Sequence, residues 1–407
     1  MAFDPSRRIF LERTGLAALG VGAAPSLLLV RAAAAAGTGS RILVKVFLRG
    51  GADGLNLCAP YGESAYYDLR GPIALPRPGA TGGLLNLDGF FGMNPALAPL
   101  EGLYREGRLA FVHAVGSYGL SRSHFDAQDF MESGTPGEKA TATGWLDRAS
   151  ARIPGNAVTE AVSFSAQQPR SFLGPEPVLV VRDLGAFDLR ARNWRTEAET
   201  LLRAMYGVED TAVGRIGTET FDAIDVLQRT PELESPPANG ASYPTATVGR
   251  ALQQAAQIIK AGLGTRCIFV NVTGGFDTHA NQLEANANDY RGLGQALAAF
   301  ALDLGRQLDD VVVMVTTEFG RVAYVNGSQG TDHGSGHCMI VLGGGVVGGR
   351  VLGRWPGLAR ASLYQERDLA VTTDFRDVFQ EVARAQLGIA ESLFPGYTPG
   401  PGVGVVG

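Results

Sequence analysis

Continuous apolar runs alternate along this chain with segments whose apolar residues recur at helical spacing. The runs that predict buried strands cover residues 42–48, 109–115, 267–272, 311–316 and 339–342. Helical spacing predicts helices over residues 290–308 and 123–131, and a Thr-Thr-Asp capping signal opens a last helix over residues 372–387. This alternation predicts an α/β fold with a largely parallel central sheet and helices on both of its faces.

The middle of the chain departs from this alternation. Between residues 139 and 245 the strand signals weaken, arginine-rich polar stretches appear, and residues 231–244 are rich in Pro, Ser and Asn. We therefore expect residues 37–407 to form a single α/β domain. Residues 139–245 are expected to be an inserted, mainly helical subdomain that serves as a cap or lid.

The N-terminal residues 1–36 have the pattern of an export signal. Arg7 and Arg8 precede a moderately apolar stretch, residues 16–30, and an alanine run that ends at Ala36. Paired arginines, a short apolar region and a small-residue cleavage site predict a twin-arginine signal peptide. A membrane anchor left uncleaved is the alternative, although about 15 residues are short for a span that needs roughly 20. Both interpretations place the rest of the chain outside the cytoplasm, in the periplasm or the medium, after passage through the twin-arginine export machinery.

Charge and cysteine content narrow the classes of function. The chain has 407 residues and a net charge of −5, and no basic run follows the leader, which argues against nucleic acid or anionic membrane as a partner. The three cysteines, Cys58, Cys267 and Cys338, lie far apart in apolar segments. We expect them to be free, buried and without a role in a disulfide framework.

Four of the five histidines lie in three short polar clusters, residues 123–126, 277–279 and 332–337. Each cluster is predicted near a strand end, where open α/β sheets place their sites. Asp277 and His279 are two residues apart on an extended segment, so both side chains can face one ion. Imidazole and carboxylate ligands predict a divalent metal site for zinc, manganese, iron, calcium or another ion. The fifth histidine, His113, lies inside an apolar strand and is expected to be a core residue.

Two further acids could serve this site. Glu318 ends the most apolar strand, and Asp53 lies in the glycine-rich turn after the first one. Each has an ordinary alternative: Glu318 could form a local ion pair with Arg321, and Asp53 could simply shape the turn.

Ser123 is the candidate nucleophile. It lies three residues before Asp126, a spacing like that of a capping box, which would place its hydroxyl at a helix N-terminus. The free N–H groups there favour an alkoxide or a bound phosphate or sulfate. Ser121 is a second candidate, and Arg122 could contact an anionic substrate. In the alternative interpretation Ser123 is only a helix cap and His124 only a hydrogen-bonding partner.

Several motifs together resemble one family of secreted bacterial proteins, called domain of unknown function 1501. They are the twin-arginine leader and the segments FLRGGADGLN (47–56), SRSHFDAQD (121–129), GGFDTH (274–279), TEFGR (317–321), DHG (332–334) and TTDFR (372–376). The resemblance covers essentially the whole mature chain. That family in turn resembles the alkaline phosphatase and sulfatase superfamily, which places metal ligands and a nucleophile at the carboxyl ends of a parallel sheet.

The resemblance implies a role for each matching residue. Asp53 would be the metal acid after the first strand, and Ser123 would be the nucleophile. Asp277 and His279 would be the acid and the histidine after the next core strand, although the superfamily spaces them more widely. His333 would be the last histidine ligand.

Two positions depart from the superfamily pattern. Glu318 stands where an Asp followed by a His is usual, and Phe319 replaces that His, so one metal position loses a ligand. His337 is then additional and would face the substrate. The departures bear on the number of metals and on activity.

These observations predict an exported, metal-dependent hydrolase that acts on a phosphate or sulfate ester, either a small molecule or a glycan. Ser123 would attack with His124 beside it, and Arg122 or Arg321 would neutralise the ester oxygens. The predicted metal ligands are Asp53, Asp277, His279, Glu318, Asp332, His333 and His337. The alternative is an inactive protein of the same fold that binds or assembles components of the cell envelope.

Overall fold

The computed structural model describes residues 41–118, 121–155, 157–187, 194–207 and 211–407. The export signal predicted at residues 1–36 lies outside these ranges. Within them, no helix has both the length and the apolar composition that crossing a membrane requires.

Short and long strands form two sheets. The strands are β1 (Ile42–Arg49), β2 (Cys58–Ala59), β3 (Leu85–Asn86), β4 (Gly92–Met93), β5 (Leu109–Gly116), β6 (Ala161–Phe164), β7 (Leu179–Val181), β8 (Cys267–Thr273), β9 (Val311–Thr317), β10 (His337–Gly343), β11 (Arg350–Leu352) and β12 (Thr373–Asp374). The α-helices are α1 (Gly54–Leu57), α2 (Ser64–Arg70), α3 (Glu101–Arg105), α4 (His124–Ser133), α5 (Trp145–Ser150), α6 (Arg195–Tyr206), α7 (Ala212–Gln228), α8 (Thr247–Lys260), α9 (Gln282–Leu304) and α10 (Phe375–Leu387).

The central sheet has the strand order β11-β5-β10-β9-β1-β8-β6-β7, with β12 beside β5, and β2, β4 and β3 form a small second sheet. All pairs in the central sheet are parallel except those of β10, which runs antiparallel to β5 and to β9. The predicted α/β fold with a largely parallel sheet is confirmed. Because β10 is reversed, it begins at the edge where its parallel neighbours end.

Both faces of the sheet are buried, as the continuous apolar runs predict. In β1, Val44, Val46 and Leu48 belong to a core cluster that includes residues of α8 and α9, whereas Leu43 and Phe47 belong to a cluster with residues of α5 and α10. Helices therefore cover the sheet on two sides, and only its edges and ends remain for a site.

The two long predicted helices form with shifted ends. The helix expected over residues 290–308 is α9, which ends before Gly305 because that glycine adopts a φ of 52°. The last helix begins after Asp374, whose side chain accepts a hydrogen bond from the Arg376 N–H at 2.9 Å, as a capping residue does.

The segment predicted as a helical insertion, residues 139–245, also supplies strands. The short strands β6 and β7 extend the central sheet beyond β8 through parallel pairing. Helices α6 and α7 follow, and Phe221 and Ile224 of α7 form a small apolar cluster with Leu202 of α6. Apart from α5, the α-helices described within this segment therefore follow β7, and a cap or lid role for the segment stays a prediction.

Candidate metal centre

Three histidines and one aspartate converge at the edge where the parallel strands end. Asp277 and His279 follow β8, His124 is the first residue of α4 after β5, and His333 lies in the loop that leads into the reversed strand β10. The structure thus brings together one residue or pair from each of the three polar clusters.

The three imidazole rings meet at one carboxylate oxygen of Asp277. Asp277 Oδ1 lies 3.0 Å from His279 Nε2, 3.0 Å from His333 Nε2 and 3.4 Å from His124 Nε2. The Nε2 atoms of His279 and His333 are themselves 3.0 Å apart. His124, Asp277 and His333 each place one ligand atom within 4.8 Å of the other two, and His279 Nε2 lies beside two of these atoms, so an ion at this point could face three ring nitrogens and one carboxylate oxygen.

The other ring nitrogen of each histidine faces a hydrogen-bond acceptor. His124 Nδ1 lies 2.8 Å from Glu318 Oε1, His279 Nδ1 lies 2.9 Å from Asp332 Oδ1, and His333 Nδ1 lies 2.7 Å from the backbone oxygen of Arg122. With the proton of each neutral imidazole assigned to Nδ1, where these acceptors lie, the Nε2 lone pairs are directed toward Asp277 Oδ1. Metal-ligating histidines are oriented in this way.

The convergence leaves one ring nitrogen without a hydrogen-bond partner. His124 Nε2 is buried and makes no hydrogen bond. In the tautomer with Nδ1 protonated, the Nε2 lone pairs of His279 and His333 face each other across 3.0 Å, and a cation between them would remove their repulsion, so the geometry fits a bound metal ion. The side chains of Asp277 and His279 are 45% and 46% exposed, so the site is open to a substrate.

Glu318 is buried and supports His124 from behind. Its Oε1 atom accepts hydrogen bonds from Gly50 N at 2.9 Å and Gln128 Nε2 at 2.8 Å, in addition to His124. Burial raises the pKa of Glu318, but the hydrogen bonds from His124, Gln128 and the backbone outweigh it and lower the pKa to about 2. The hydrogen bond to Glu318 in turn raises the pKa of His124. The structure thus places Glu318 as the residue that orients His124.

Arg321 holds Asp277 in place. Its buried guanidinium donates to Asp277 Oδ1 at 2.6 Å. It also donates to the backbone oxygens of four residues, at 2.7–3.0 Å: Gly50, Gly51, Phe276 and Thr331. Burial raises the pKa of Asp277, but Arg321 outweighs it and the pKa falls to about 2. The predicted contact of Arg321 with substrate, and the alternative ion pair with Glu318, are both replaced by this supporting role.

Asp53 does not join the cluster. It is 1% exposed and forms a buried ion pair with Arg70, whose Nη2 lies 3.1 Å from Asp53 Oδ1. Gln282 Nε2 and Leu55 N also donate to its carboxylate. Because both oxygens of this buried carboxylate already accept these hydrogen bonds, Asp53 is an anchor for the turn after β1 rather than the predicted metal ligand.

The Arg122 guanidinium is also engaged. It donates from Nε at 3.0 Å and from Nη2 at 2.7 Å to Asp368, which is buried. Its backbone oxygen orients His333. Arg122 therefore contributes to the centre through its main chain and not through the predicted contact with an anionic substrate.

Two other predicted ligands take different places. The Asp332 carboxylate bonds to His279 Nδ1, and that bond lowers its pKa, so it orients a ligand instead of facing the centre. His337 is fully buried at the start of β10, and neither ring nitrogen has a hydrogen bond. Burial lowers the pKa of His337 to about 4. The expectation that His337 faces a substrate is therefore wrong, since strand β10 turns its side chain into the core.

The serines are distinguished by their hydrogen bonds. Ser123 precedes α4, but its side chain does not cap the helix, so the predicted capping box does not form. Asp126 instead accepts from Ser121 Oγ at 3.1 Å and pairs with Lys139. The first N–H groups of α4 therefore lack a capping side chain.

Several supporting residues were not anticipated. Arg49 Nη1 donates to Gln128 Oε1 at 2.8 Å, which aligns the amide that binds Glu318. Gln128 lies four residues after His124 on the same helical face, a spacing that could have indicated it. No pattern in the sequence points to Arg70 or Gln282, because their partner Asp53 is distant along the chain.

Replacing Gly51 with alanine tests how tightly the turn after β1 fits. Gly51 has a φ of 69°, and a Cβ atom there would lie 2.6 Å from the Phe319 ring. We expect Gly51→Ala to lower the free energy of unfolding by about 2–4 kcal/mol, from the positive φ and the overpacking together. Gly79→Ala is the matched control, since Gly79 has a φ of 89° and no neighbour within 4 Å. If denaturant unfolding shows the same loss of stability in Gly51→Ala and Gly79→Ala, the close packing of Gly51 against Phe319 is contradicted.

A family model described as protein of unknown function (DUF1501) matches residues 105–393. No curated protein matches. Among solved structures, the chain is similar to the lipoteichoic acid synthase LtaP from Listeria monocytogenes, with 9% identity, a TM-score of 0.35 and coverage of 95% of this chain and 80% of that one.

Two further solved structures show comparable similarity. One is the C-terminal periplasmic domain of EcEptC from Escherichia coli in complex with Zn, with 11% identity, a TM-score of 0.35 and coverage of 76% and 74%. The other is a protein in the alkaline phosphatase superfamily from Vibrio parahaemolyticus, with 12% identity, a TM-score of 0.32 and coverage of 84% and 69%. At these TM-scores the chemistry of the present chain rests on its own geometry.

Proposed function

Because the chain belongs to the DUF1501 family, for which no activity is assigned, we propose a function from the centre itself: an exported, metal-dependent hydrolase of phosphate or sulfate esters. The proposed ligands of the metal ion are His124, Asp277, His279 and His333. Export by the twin-arginine route, proposed from the leader, would place this activity in the periplasm or the medium.

One observation carries the proposal: the Nε2 atoms of three imidazoles lie 3.0–3.4 Å from Asp277 Oδ1, and each Nδ1 faces an acceptor. The donor set also narrows the ion. Three imidazole nitrogens and one carboxylate suit zinc, manganese or a similar transition metal, whereas calcium prefers oxygen ligands alone. When bound, such an ion supplies a Lewis acid for an ester oxygen.

The residues around the centre suit an anionic ester. Helix α4 begins at the ligand His124, and its first N–H groups, uncapped by Ser123, can donate to a phosphate or sulfate oxygen. Since Arg122 and Arg321 are engaged by Asp368 and Asp277, these N–H groups take over the charge-neutralising role expected of the arginines. We assign Ser123 as the nucleophile, because its hydroxyl makes no capping bond whereas that of Ser121 donates to Asp126.

The same engaged side chains support a second candidate function. With Asp53, Arg122 and Arg321 all held in ion pairs, the centre has few mobile charges for a transition state. A protein that binds a metal and an anionic group of the cell envelope without turnover would need no additional mobile charges.

Metal analysis combined with an ester panel decides between the two. We expect purified protein to hold one equivalent of metal that is lost in His279→Ala and in His333→Ala. Turnover of aryl phosphates or aryl sulfates is expected to fall by about 10³-fold or more in Ser123→Ala, which should keep its metal. Ser121→Ala is the control and should retain both.

The results distinguish the hydrolase from the binding protein. Metal without turnover on any ester, across zinc and manganese, would leave the binding protein as the function. If the wild-type protein holds no metal that depends on His279 or His333, both candidate functions fail.

A further inference from the structure

A short hairpin borders the open centre formed by Asp277 and the three histidines. In this hairpin the backbone N–H groups of Tyr364 and Asp368 each donate to the backbone oxygen of the other, at 2.8 Å and 3.0 Å. Its two central residues, Gln365 and Glu366, have φ values of 55° and 54°. Hairpin turns with two positive φ values favour Asn and Gly, so these longer side chains make the turn strained. Strain of this kind persists where the surrounding structure fixes the conformation, often at functional sites.

The second arm of the hairpin is fixed against the segments of the centre. Asp368 forms an antiparallel bridge with Val322, and the backbone oxygen of Arg367 accepts from Ala323 N at 3.1 Å. The Arg367 side chain crosses to the other segment, where its Nη2 donates to the backbone oxygen of His333 at 3.0 Å. The Arg367 guanidinium therefore lies directly beside a residue whose ring belongs to the centre.

Two arginines share the single carboxylate of Asp368, which is fully buried. Its Oδ2 accepts from Arg122 Nε at 3.0 Å, from Arg122 Nη2 at 2.7 Å and from Ser335 Oγ at 2.8 Å. Its Oδ1 accepts from Arg367 Nη1 at 3.0 Å. Because Arg122 alone balances the charge of this carboxylate, Arg367 adds a positive charge that Asp368 does not neutralise.

This additional charge is accessible from solvent. The Arg367 side chain is 27% exposed, whereas that of Asp368 is 0% exposed. Within the described ranges, Asp368 is the one acid with which Arg367 forms an ion pair. The exposed Asp332, next to His333 in the chain, bonds instead to His279 Nδ1 at 2.9 Å. The N–H groups of Arg367 that Asp368 and His333 do not use can therefore donate to a bound anion.

We propose that Arg367 forms a subsite for a second anionic group of the substrate, so that the centre takes esters that carry a further phosphate or carboxylate. A phosphodiester chain and an acidic glycan both have this chemistry. The inference rests on the proposed function, because it names the substrate class of the same centre. The reacting ester lies at the open centre and at the N-terminus of α4, and the second group lies on Arg367.

The geometry of the hairpin suits this role. A guanidinium binds phosphate and carboxylate oxygens through charge-assisted hydrogen bonds. Since the hairpin and His333 already hold the Arg367 side chain, little conformational entropy is lost when an anion binds. A purely structural ion pair would not need Arg367, because Arg122 and Ser335 already bind the buried carboxylate.

Phosphonates test the subsite without turnover, because their C–P bond is not an ester bond. One series consists of alkane-α,ω-bisphosphonates and another of ω-carboxyalkylphosphonates, each with chains of increasing length. We expect zinc-loaded protein to bind the chain length that matches the span at least about 10-fold more tightly than propylphosphonate, which has one anionic group. Titration calorimetry measures the affinities, and the series that binds more tightly identifies the second group as phosphate or carboxylate.

Substitution of Arg367 tests which residue gives the preference. Arg367→Gln should abolish the preference for two anionic groups while zinc content and propylphosphonate affinity stay unchanged. Arg367→Lys keeps the charge and should retain most of the preference. Arg360→Gln is the matched control, since Arg360 pairs with Glu366 of the same hairpin and its side chain is 81% exposed. It changes the net charge equally and should leave the preference intact.

A measurement on the wild-type protein guards against variants that fold poorly. Phenylglyoxal modifies accessible arginines, and peptide mass mapping locates the modification. The best two-anion phosphonate should protect Arg367 from phenylglyoxal, whereas propylphosphonate should not. Modification of Arg367 at the same rate with either compound would overturn the subsite.

The outcomes for the subsite and for the hydrolase are distinct. Equal or undetectable affinity of wild-type protein for one-anion and two-anion phosphonates would overturn the subsite, as would a preference that survives in Arg367→Gln. An Arg367-dependent preference in protein that hydrolyses no ester supports the subsite and leaves the binding protein as the function. Ester turnover without the preference keeps the hydrolase and removes the subsite.

Discussion

Replacing Arg321 with methionine is expected to lower the free energy of unfolding by at least about 3 kcal/mol, because it removes a buried guanidinium that satisfies several backbone oxygens. The guanidinium bonds to Asp277 and to four backbone oxygens, in the loops after β1 and β8 and before β10. Methionine has a similar length but no donor, so these buried acceptors would be left without partners.

The same substitution should weaken metal binding at the open centre by about 10- to 100-fold, the usual effect of removing a group that orients a ligand. Denaturant unfolding measures the stability, and zinc titration of the folded protein measures the affinity. Arg360→Met is the control: Arg360 pairs with Glu366 at the surface, so stability should change by less than about 1 kcal/mol. If Arg321→Met keeps its stability and metal but loses turnover, Arg321 contacts substrate as the sequence alone suggested.

The long strands were predictable because each is a continuous apolar run buried on both faces. An apolar run does not determine the direction of its strand, as β10 shows. Its residues would be buried in either direction, so the sequence predicted the strand but not that it runs antiparallel to its neighbours. Strands β6 and β7 have only four and three residues, too few for a pattern to stand out from the polar segment around them.

The gathering of these side chains at one edge of the sheet was predictable from residue type and strand position. His279, Asp277 and His333 follow or precede apolar runs, and the carboxyl edge of a parallel sheet gathers such residues. What the sequence left open was which acids lie at the centre and which support it. Asp53 and Asp277 look alike in the sequence and each pairs with a buried arginine, but Asp53 is buried whereas Asp277 is half exposed beside three imidazoles.

Arginines misled the sequence interpretation for a related reason. The sequence interpretation has Arg321 neutralise the oxygens of an ester, a role that needs an exposed guanidinium. The structure buries Arg321, because backbone oxygens from several loops surround its guanidinium. Hydrogen bonds to a main chain have no signature in residue type, so this role could emerge only from the folded arrangement. The Phe319 ring packs against the rings of His124 and His333, each at a centroid distance of 4.9 Å.

The buried pair of Asp53 and Arg70 gives the second large effect. Arg70→Met is expected to lower the free energy of unfolding by about 3–5 kcal/mol, because it leaves the Asp53 carboxylate buried without its counter-charge. Adding Asp53→Asn should recover part of that loss, since it removes the stranded charge. Denaturant unfolding of the single and double variants measures this, with Arg77→Met, on the surface nearby, as a near-neutral control.

Metal content makes the same variants a test of the role of Asp53. If Asp53 anchors the turn, folded Asp53→Asn protein should bind zinc with nearly unchanged affinity while its stability falls. A metal ligand would behave in the opposite way, with zinc lost and stability in the absence of metal nearly unchanged. Arg70 lies 1% exposed and also donates to the backbone oxygens of Ala323 and Val322. The ion pair therefore ties the turn after β1 to the segment after Arg321. For this reason we expect Asp53→Asn to lower the free energy of unfolding more than it lowers zinc affinity.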